Sequence, residues 1–256
     1  MHLRINLGLV KDVLYFQPLY HPIFCVKFMK KLVFLLLFLS ISKTGFTQEN
    51  SDLGAWYMYF GNFRFTESPW AIHGEAQYRN HNVIGDLEQM LLRTGLQYNL
   101  KDGSASFLTG YGSITSESEG EPAISFHENR LYQEVILRQK VGKIGLMHRF
   151  RYEQRWIENV DFKTRFRYAI FVNVPINSIE LGEKGSWYVQ GYDELFINGE
   201  KLNERVEYFD RNRLYLGLGY RVVKNLAFQV GIMQQATDSR SKTYLQFSAF
   251  HQLYSK

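Results

Sequence analysis

The sequence has little cysteine and little proline, and both shortages limit the folds it can adopt. Its 256 residues include one cysteine, Cys25, and five prolines. We expect the mature chain to begin near Gln48, beyond Cys25, so it has no thiol for disulfides, thiol catalysis or cysteine-based metal sites. Few prolines combined with 16% aromatic residues favour long β-strands over a loop-rich or disordered chain.

Most of the chain also lacks an excess of charge of either sign. The formal net charge is +5 and the pI is about 9.1, values that would suggest nucleic acid or an anionic membrane as a partner. Of the 30 basic and 25 acidic side chains, six basic and one acidic lie in residues 1–47, which leaves 24 of each. The basicity therefore belongs to the N-terminal leader, and we expect no nucleic-acid partner.

The leader carries an apolar run with the features of an export signal. Two lysines precede Leu32–Ile41, and small residues follow it, which predicts a secretory signal peptide over residues 29–47. The run is too short for a membrane-spanning helix. Residues 1–28 fit no signal, so we interpret them as an over-extended start, with Met29 as the true one; a genuine N-terminal extension is the alternative. Residues 48–256 are expected to form a single domain.

The rest of the chain repeats a unit of about 10–14 residues in which apolar and polar side chains alternate between turns. In the stretch FKTRFRYAIFVNV, residues 162–174, even positions carry rings and branched aliphatics, and odd positions carry three cations. About eleven such segments follow the leader. Short connections such as residues 101–104 alternate with longer polar loops such as residues 116–127, the arrangement of a bacterial outer-membrane barrel.

We therefore predict an all-β fold, an antiparallel up-and-down transmembrane β-barrel of 10–12 strands. Single-chain bacterial barrels have even strand counts and both termini in the periplasm. Eleven segments thus lead us to expect ten or twelve strands, with residues 53–65 as an extra segment or half of a pair. A soluble β-sandwich or a lipocalin-like periplasmic binding barrel is the alternative, although sandwich strands usually run about five or six residues.

The parity of each strand assigns its side chains to the lumen or to lipid. A luminal charge network is expected from Glu75, Arg79, Arg93, Glu134, Arg149, Arg151, Glu153, Arg155, Lys163, Arg165, Arg167, Arg213 and Arg221. Lipid-facing positions are expected at Trp70, Ile72, Phe166, Tyr168, Ile170, Leu214, Leu216 and Leu218. We interpret the charges as a structural network that fills a narrow barrel; an anion-preferring lumen is the alternative.

Soft aromatic and arginine motifs carry a family resemblance. The segments LGAWYMYFGNFRF (Leu53–Phe65), EAQYR (Glu75–Arg79), ENRLYQE (Glu128–Glu134) and RFRYEQRW (Arg149–Trp156) resemble the domain of unknown function 2490 family. The family is regarded as outer-membrane β-barrels and is common in Bacteroidota. The resemblance covers essentially the whole mature chain and implies an outer-membrane location, and it brings no catalytic residues.

No motif in the sequence identifies an enzyme, and we expect no catalytic residue, cofactor or metal site. A GxSxG motif is absent, and the Gly-x-Gly of residues 217–220 lies inside a strand, not before a helix. His73 and Glu75 share one strand face, as a base and its orienting partner would, which keeps open a barrel enzyme acting on envelope lipids.

The long loops are acidic, and we expect them to be solvated. Their carboxylates could alternatively form a rim for divalent cations. The residues concerned are Glu117, Glu119, Glu121, Glu128, Glu200, Glu204, Glu207 and Asp210.

The function predicted from the sequence is that of an outer-membrane barrel without an assignable chemical activity. We expect a structural role or a narrow, partly plugged pore with an arginine-rich lumen. Its expected partners are outer-membrane lipids and the assembly machinery for outer-membrane barrels, which the chain would meet after export through the periplasm of a Gram-negative cell.

Overall fold

Eleven long strands form the part of the chain that the computed structural model describes, which comprises residues 53–120, 122–177, 180–199 and 208–255. The strands are β1 (Gly54–Arg64), β2 (Trp70–Asn80), β3 (Leu87–Asn99), β4 (Ala105–Glu117), β5 (Ser125–Val141), β6 (Ile144–Ile157), β7 (Lys163–Pro175), β8 (Trp187–Asn198), β9 (Phe209–Val223), β10 (Leu226–Ala236) and β11 (Ser241–Tyr254). Within these ranges no helix could cross a membrane. The predicted leader lies outside the described residues, so its assignment stays a prediction.

The strands close into one barrel in chain order, which confirms the predicted fold class. Consecutive strands pair antiparallel, whereas β1 and β11 pair parallel, from Gly54 opposite Tyr244 to Arg64 opposite Tyr254. The expectation of an even strand count is therefore wrong. The segment at residues 53–65, expected to be an extra one, supplies β1 and is paired on both sides.

An odd number of strands closes because a parallel pair can also saturate both edges with hydrogen bonds. The parallel closure places the start of β1 and the end of β11 at opposite mouths of the barrel. β1 begins at the mouth where β2 ends, and β11 ends at the opposite mouth, so the expectation that both ends of the barrel chain lie on one side is also wrong.

The strand lengths explain why the chain forms a barrel and not a sandwich. Each strand has between 11 and 17 residues, about twice the usual length in a sandwich. An 11-residue strand is roughly 36 Å long, and when tilted by about 40° it spans roughly 28 Å along the barrel axis. That height is close to the apolar band of about 25 Å in outer-membrane barrels.

One mouth of the barrel carries the tightest turns. Gly142 and Lys143 alone join β5 to β6, and Gly142 has a φ of 61°. In the turn between β3 and β4, the Asp102 carboxylate accepts hydrogen bonds from the Ser104 backbone N–H at 3.0 Å and its hydroxyl at 2.8 Å. These two bonds lower the pKa of Asp102. The longer connection of residues 176–186 also lies at this mouth, which we call the tight-turn mouth; the other is the long-loop mouth.

Glycines on the inner face make room for tyrosine rings. A Cβ at Gly219 would overlap the ring of Tyr188, and one at Gly217 would overlap the hydroxyl of Tyr215. The Gly-x-Gly of β9 therefore provides space for these two tyrosine side chains. Tyr215 packs with Trp56 and two further residues in an apolar cluster inside the barrel.

Candidate functional site in the barrel interior

The predicted luminal charges lie on the inner face of the barrel, where most of them are buried. Those less than 9% exposed are Glu75, Arg79, Arg93, Glu134, Arg151, Glu153, Arg165, Arg167 and Arg213. Arg149, Arg155, Lys163 and Arg221 are partly buried. Because strands alternate their side chains between two faces, a polar residue at every second position produces this concentration of charge.

Glu153 is the centre of the charged cluster and is 1% exposed. Its carboxylate accepts hydrogen bonds from Arg165 Nη2 and Arg167 Nη1, each at 2.6 Å. Arg151 Nη1 lies 3.7 Å and Arg130 Nη1 lies 3.9 Å from the same carboxylate. Four arginines from three strands thus surround one anion, which satisfies the requirement that a buried charge be paired.

Three further glutamates extend the cluster to either side. Glu194 accepts hydrogen bonds from Arg167 Nη2 at 2.6 Å and from Arg149 Nη2 at 2.7 Å. Glu134 accepts one from Arg151 Nε at 2.6 Å. Glu128 accepts a hydrogen bond from Arg155 Nε at 2.6 Å and further hydrogen bonds from Arg130.

Sequence reasoning missed several members of this cluster. Glu128 and Asp210 were assigned to loops, yet Glu128 is 3% exposed on β5, and Asp210 lies on β9 with Arg165 Nη1 at 2.9 Å. Arg130 and Glu194 were not predicted. The sequence alternation could have identified Glu128 and Arg130 as luminal, because both lie an even number of residues from Glu134 on the same strand. The loop residues Glu121, Glu200, Glu204 and Glu207 lie outside the described residues.

Two predicted members lie apart from the cluster. Lys163 has no ion pair with any described residue, and Arg221 is near the tight-turn mouth, where its Nη1 donates to the Lys224 carbonyl at 2.9 Å. Their inclusion in the charge network is therefore corrected. Both stand close to strand ends, where parity no longer guarantees a partner across the lumen.

The His73–Glu75 pair is close, but its carboxylate has other partners. His73 Nε2 lies 3.6 Å from the Glu75 carboxylate, which also accepts from Arg93 Nη1 at 2.8 Å and from the Gln77 amide. A carboxylate that orients a catalytic histidine holds it through a direct hydrogen bond. In the described residues no group of three or more metal-ligating side chains converges.

A stack of alternating guanidinium groups and aromatic rings crosses the lumen. The Arg79 guanidinium carbon lies 3.7 Å from the Trp56 ring centroid, and Arg213 lies 4.7 Å from the same centroid. Arg213 is also 4.6 Å from the centroid of Phe196, which Arg167 approaches at 4.3 Å. Cations at these distances are attracted by the ring faces. The stack connects side chains of β1, β2, β7, β8 and β9.

Described residues line two neighbouring cavities inside the barrel. One, of about 260 Å³, is lined by six arginines and three glutamates together with Trp56, Gln229 and neutral side chains. The second, of about 320 Å³, lies towards the tight-turn mouth and is lined by Arg221, Tyr188 and residues of the connection between β7 and β8. The two share Met147, Gln190 and Phe250 as walls.

The outer face of the barrel is mainly apolar. Of the positions expected to face lipid, Trp70, Ile72, Phe166, Leu214, Leu216 and Leu218 are between 39% and 64% exposed. Tyr168 and Ile170 also point outward but are partly covered, Tyr168 by its hydrogen bond to His148 at 2.8 Å. A groove of about 620 Å³ on this face is lined mainly by aromatic and aliphatic side chains.

Aromatic pairs mark both ends of the outer face. Trp70 packs on Tyr98 and Trp187 on Tyr220, with centroid separations of 5.0 and 4.6 Å, towards the tight-turn mouth. Trp156 packs on Phe162 at 5.2 Å towards the long-loop mouth. Aromatic residues at two levels are compatible with the aromatic girdles of outer-membrane barrels.

The chain belongs to the family described as "Protein of unknown function (DUF2490)", whose model matches residues 53–246. The match confirms the family resemblance and begins just before β1. Comparisons with curated proteins and with solved structures gave no match.

Proposed function

We propose that this member of the family is an integral outer-membrane barrel whose lumen is closed by its own side chains. Its role is that of a membrane-embedded structural protein, not of an open pore. The observation that carries the proposal is the polarity of the two faces, because ion pairs fill the inside and apolar side chains cover the outside. In a soluble barrel, the apolar face would line the interior.

The extent of the apolar outer face supports membrane insertion. Large exposed hydrophobic side chains occur on each of the eleven described strands, from Tyr57 on β1 to Leu253 on β11. Soluble monomers rarely expose contiguous apolar patches larger than a few hundred Å². Closure of the barrel also satisfies the backbone groups of β1 and β11, as a hydrocarbon environment requires.

The closed lumen is supported by the packing of the interior. An eight-stranded barrel is filled by side chains, and an aqueous channel is typical at sixteen strands or more. In this eleven-stranded barrel the long arginine side chains and the stack through Trp56, Arg213 and Phe196 extend across the bore. We expect conductance no greater than that of a protein-free bilayer.

Fractionation and gel mobility test the membrane assignment. The protein should sediment with the outer membrane and migrate differently when it is not heated, because a folded barrel resists detergent. Recovery in the soluble periplasmic fraction would replace the proposal with a periplasmic binding protein. Steady ion conductance in a planar bilayer would leave the barrel in place and overturn the closed lumen.

We also propose that the barrel has no catalytic role in lipid hydrolysis. The observation behind this is that Glu75 already accepts hydrogen bonds from Arg93 and Gln77, so it is poorly placed to activate His73. Purified barrel mixed with phospholipid micelles should release no fatty acid above background. Release that disappears in His73→Ala would establish the enzyme instead.

A further inference from the structure

Two buried arginines in the interior have no carboxylate within ion-pair distance among the described residues. Arg79 and Arg213 are each 7% exposed, and neither forms an ion pair with a carboxylate among the described residues. Arg79 donates to the side-chain oxygens of Gln77 at 2.9 Å and Gln89 at 2.7 Å. Arg213 makes a single hydrogen bond in the described structure, from Nε to Gln235 at 2.8 Å. Both Nη groups of Arg213 remain available.

The two cations are held near each other by one aromatic ring. Both approach the Trp56 ring, at 3.7 and 4.7 Å from its centroid. A ring quadrupole attracts a cation but carries no net charge, so it does not neutralise either guanidinium. Two like charges in a buried site are costly unless an anion compensates for them.

The same two arginines line the 260 Å³ cavity, and unpartnered donors line it with them. Trp56 Nε1 and Gln229 Nε2 are buried and have no hydrogen-bond partner in the described part of the chain. Both residues are at least nine-tenths buried. Buried donors without partners are rare in native proteins, and a bound ion or water is the usual explanation.

The lining of the cavity favours an anion over water alone. Of its six arginines, Arg79 and Arg213 form no ion pair with a described carboxylate, so water alone would satisfy the free donors but leave these two without a direct anionic partner. The volume is several times the roughly 30 Å³ that one water occupies in the liquid. The planar fork of a guanidinium matches two oxygens of an oxyanion.

We infer that this cavity is a binding site for a compact oxyanion of the phosphate class. Arg213 provides the principal contact through its free Nη groups, Arg79 adds the second charge, and Trp56 Nε1 donates a hydrogen bond. The neighbouring 320 Å³ cavity, which shares Met147 and Phe250 as walls, is the route of entry from the tight-turn mouth. The inference concerns the interior and holds whether or not the barrel resides in a membrane.

Titration of inorganic phosphate into the purified full-length barrel tests the site. Calorimetry in detergent at low ionic strength should show saturable binding of one phosphate per barrel, accompanied by a rise in Tm. Arg213→Gln should weaken binding by about tenfold or more, because it removes a charge-assisted contact. Sulfate should compete with phosphate, since it has the same tetrahedral oxygens.

Arg155→Gln is the matched control. Arg155 is likewise an interior arginine, although it is less deeply buried than Arg213. Its partner Glu128 keeps Arg130, and Arg155 does not line the cavity. Phosphate affinity of this variant should stay within about twofold of the parent, as expected for a charge outside the site. Equal weakening by both variants would show a diffuse field effect and overturn the site.

Two further measurements keep the test decisive. Absence of saturable phosphate binding by the parent protein overturns the inference without any variant. If Arg213→Gln does not fold, Trp56→Phe keeps a ring between the arginines and removes only the Nε1 donor; it should still weaken phosphate binding. Binding of vesicles containing anionic lipid but not of free phosphate would assign the arginines to a headgroup contact and refute an enclosed site.

Discussion

Leu216→Arg separates a membrane barrel from a soluble one by the size of its effect. Leu216 is 64% exposed on the outer face and is the central residue of β9, seven residues from either end of the strand. At about 3.3 Å per residue and a tilt of about 40°, it lies roughly 18 Å along the axis from each mouth. That depth corresponds to the middle of a hydrocarbon layer about 30 Å thick.

The two environments predict different costs for this substitution. An arginine on the lipid face near the midplane destabilises a barrel by about 2–4 kcal/mol, falling to about 0–1 kcal/mol near the interfaces. On the surface of a soluble protein, the same change stays within about 0.5 kcal/mol. The control is Leu253→Arg, which also points outward but is the penultimate residue of β11.

The measurement is reversible urea unfolding of the barrel in phospholipid vesicles, followed by tryptophan fluorescence. We expect a loss of about 2–4 kcal/mol in the free energy of unfolding for Leu216→Arg. Leu253→Arg should lose less than about 1 kcal/mol, because its guanidinium reaches the headgroups. Equal small losses at both positions would refute the lipid-facing assignment of β9.

Three further predictions test the closure, the charge cluster and the glycine packing. Because β1 and β11 pair parallel, epitope tags placed before β1 and after β11 should be accessible from opposite sides of the membrane, and labelling from one side only would contradict that closure. Glu153→Gln should destabilise the barrel by about 3–5 kcal/mol in urea, because its arginines lose their shared anion, and adding Arg165→Gln should recover part of that loss. Gly219→Ala should cost about 1–3 kcal/mol by the same assay, and Tyr188→Ala should relieve it; additive losses in the double variant would argue against contact between them.

Parity along the strands carried most of what could be predicted from the sequence. In residues 162–174 a strict period of two assigned Arg165 and Arg167 to one face and Phe166 to the other, and the structure has them on those faces. The method works because a one-residue slip would move every charge to the apolar side.

The incorrect or missing predictions concern residues and strands for which the alternation was overridden by another sequence feature or gave no information. Glu128 was grouped with nearby loop glutamates, although β5 begins three residues before it and its alternation already includes it. Glu194 follows a second carboxylate, Asp193, which points outward and bonds to Asn212 at 3.1 Å, so composition alone could not separate the two. The parallel β1–β11 pair joins segments far apart in sequence and leaves no local pattern.

The width of an eleven-stranded barrel connects the charge cluster to the anion cavity. Eight strands leave an interior that ordinary side chains fill, and each added strand widens the bore. Arginine has a long side chain, and its guanidinium group can stack on aromatic rings. Both properties allow the Arg79–Trp56–Arg213–Phe196 stack to extend across the wider bore. Each of these arginines also adds a positive charge. The described glutamates form ion pairs with the arginines around Glu153, whereas the two arginines beside Trp56 have no ion pair among the described residues. The cavity therefore lies beside the two arginines that have no ion pair among the described residues, and an anion from solution is the counter-ion that we propose for them.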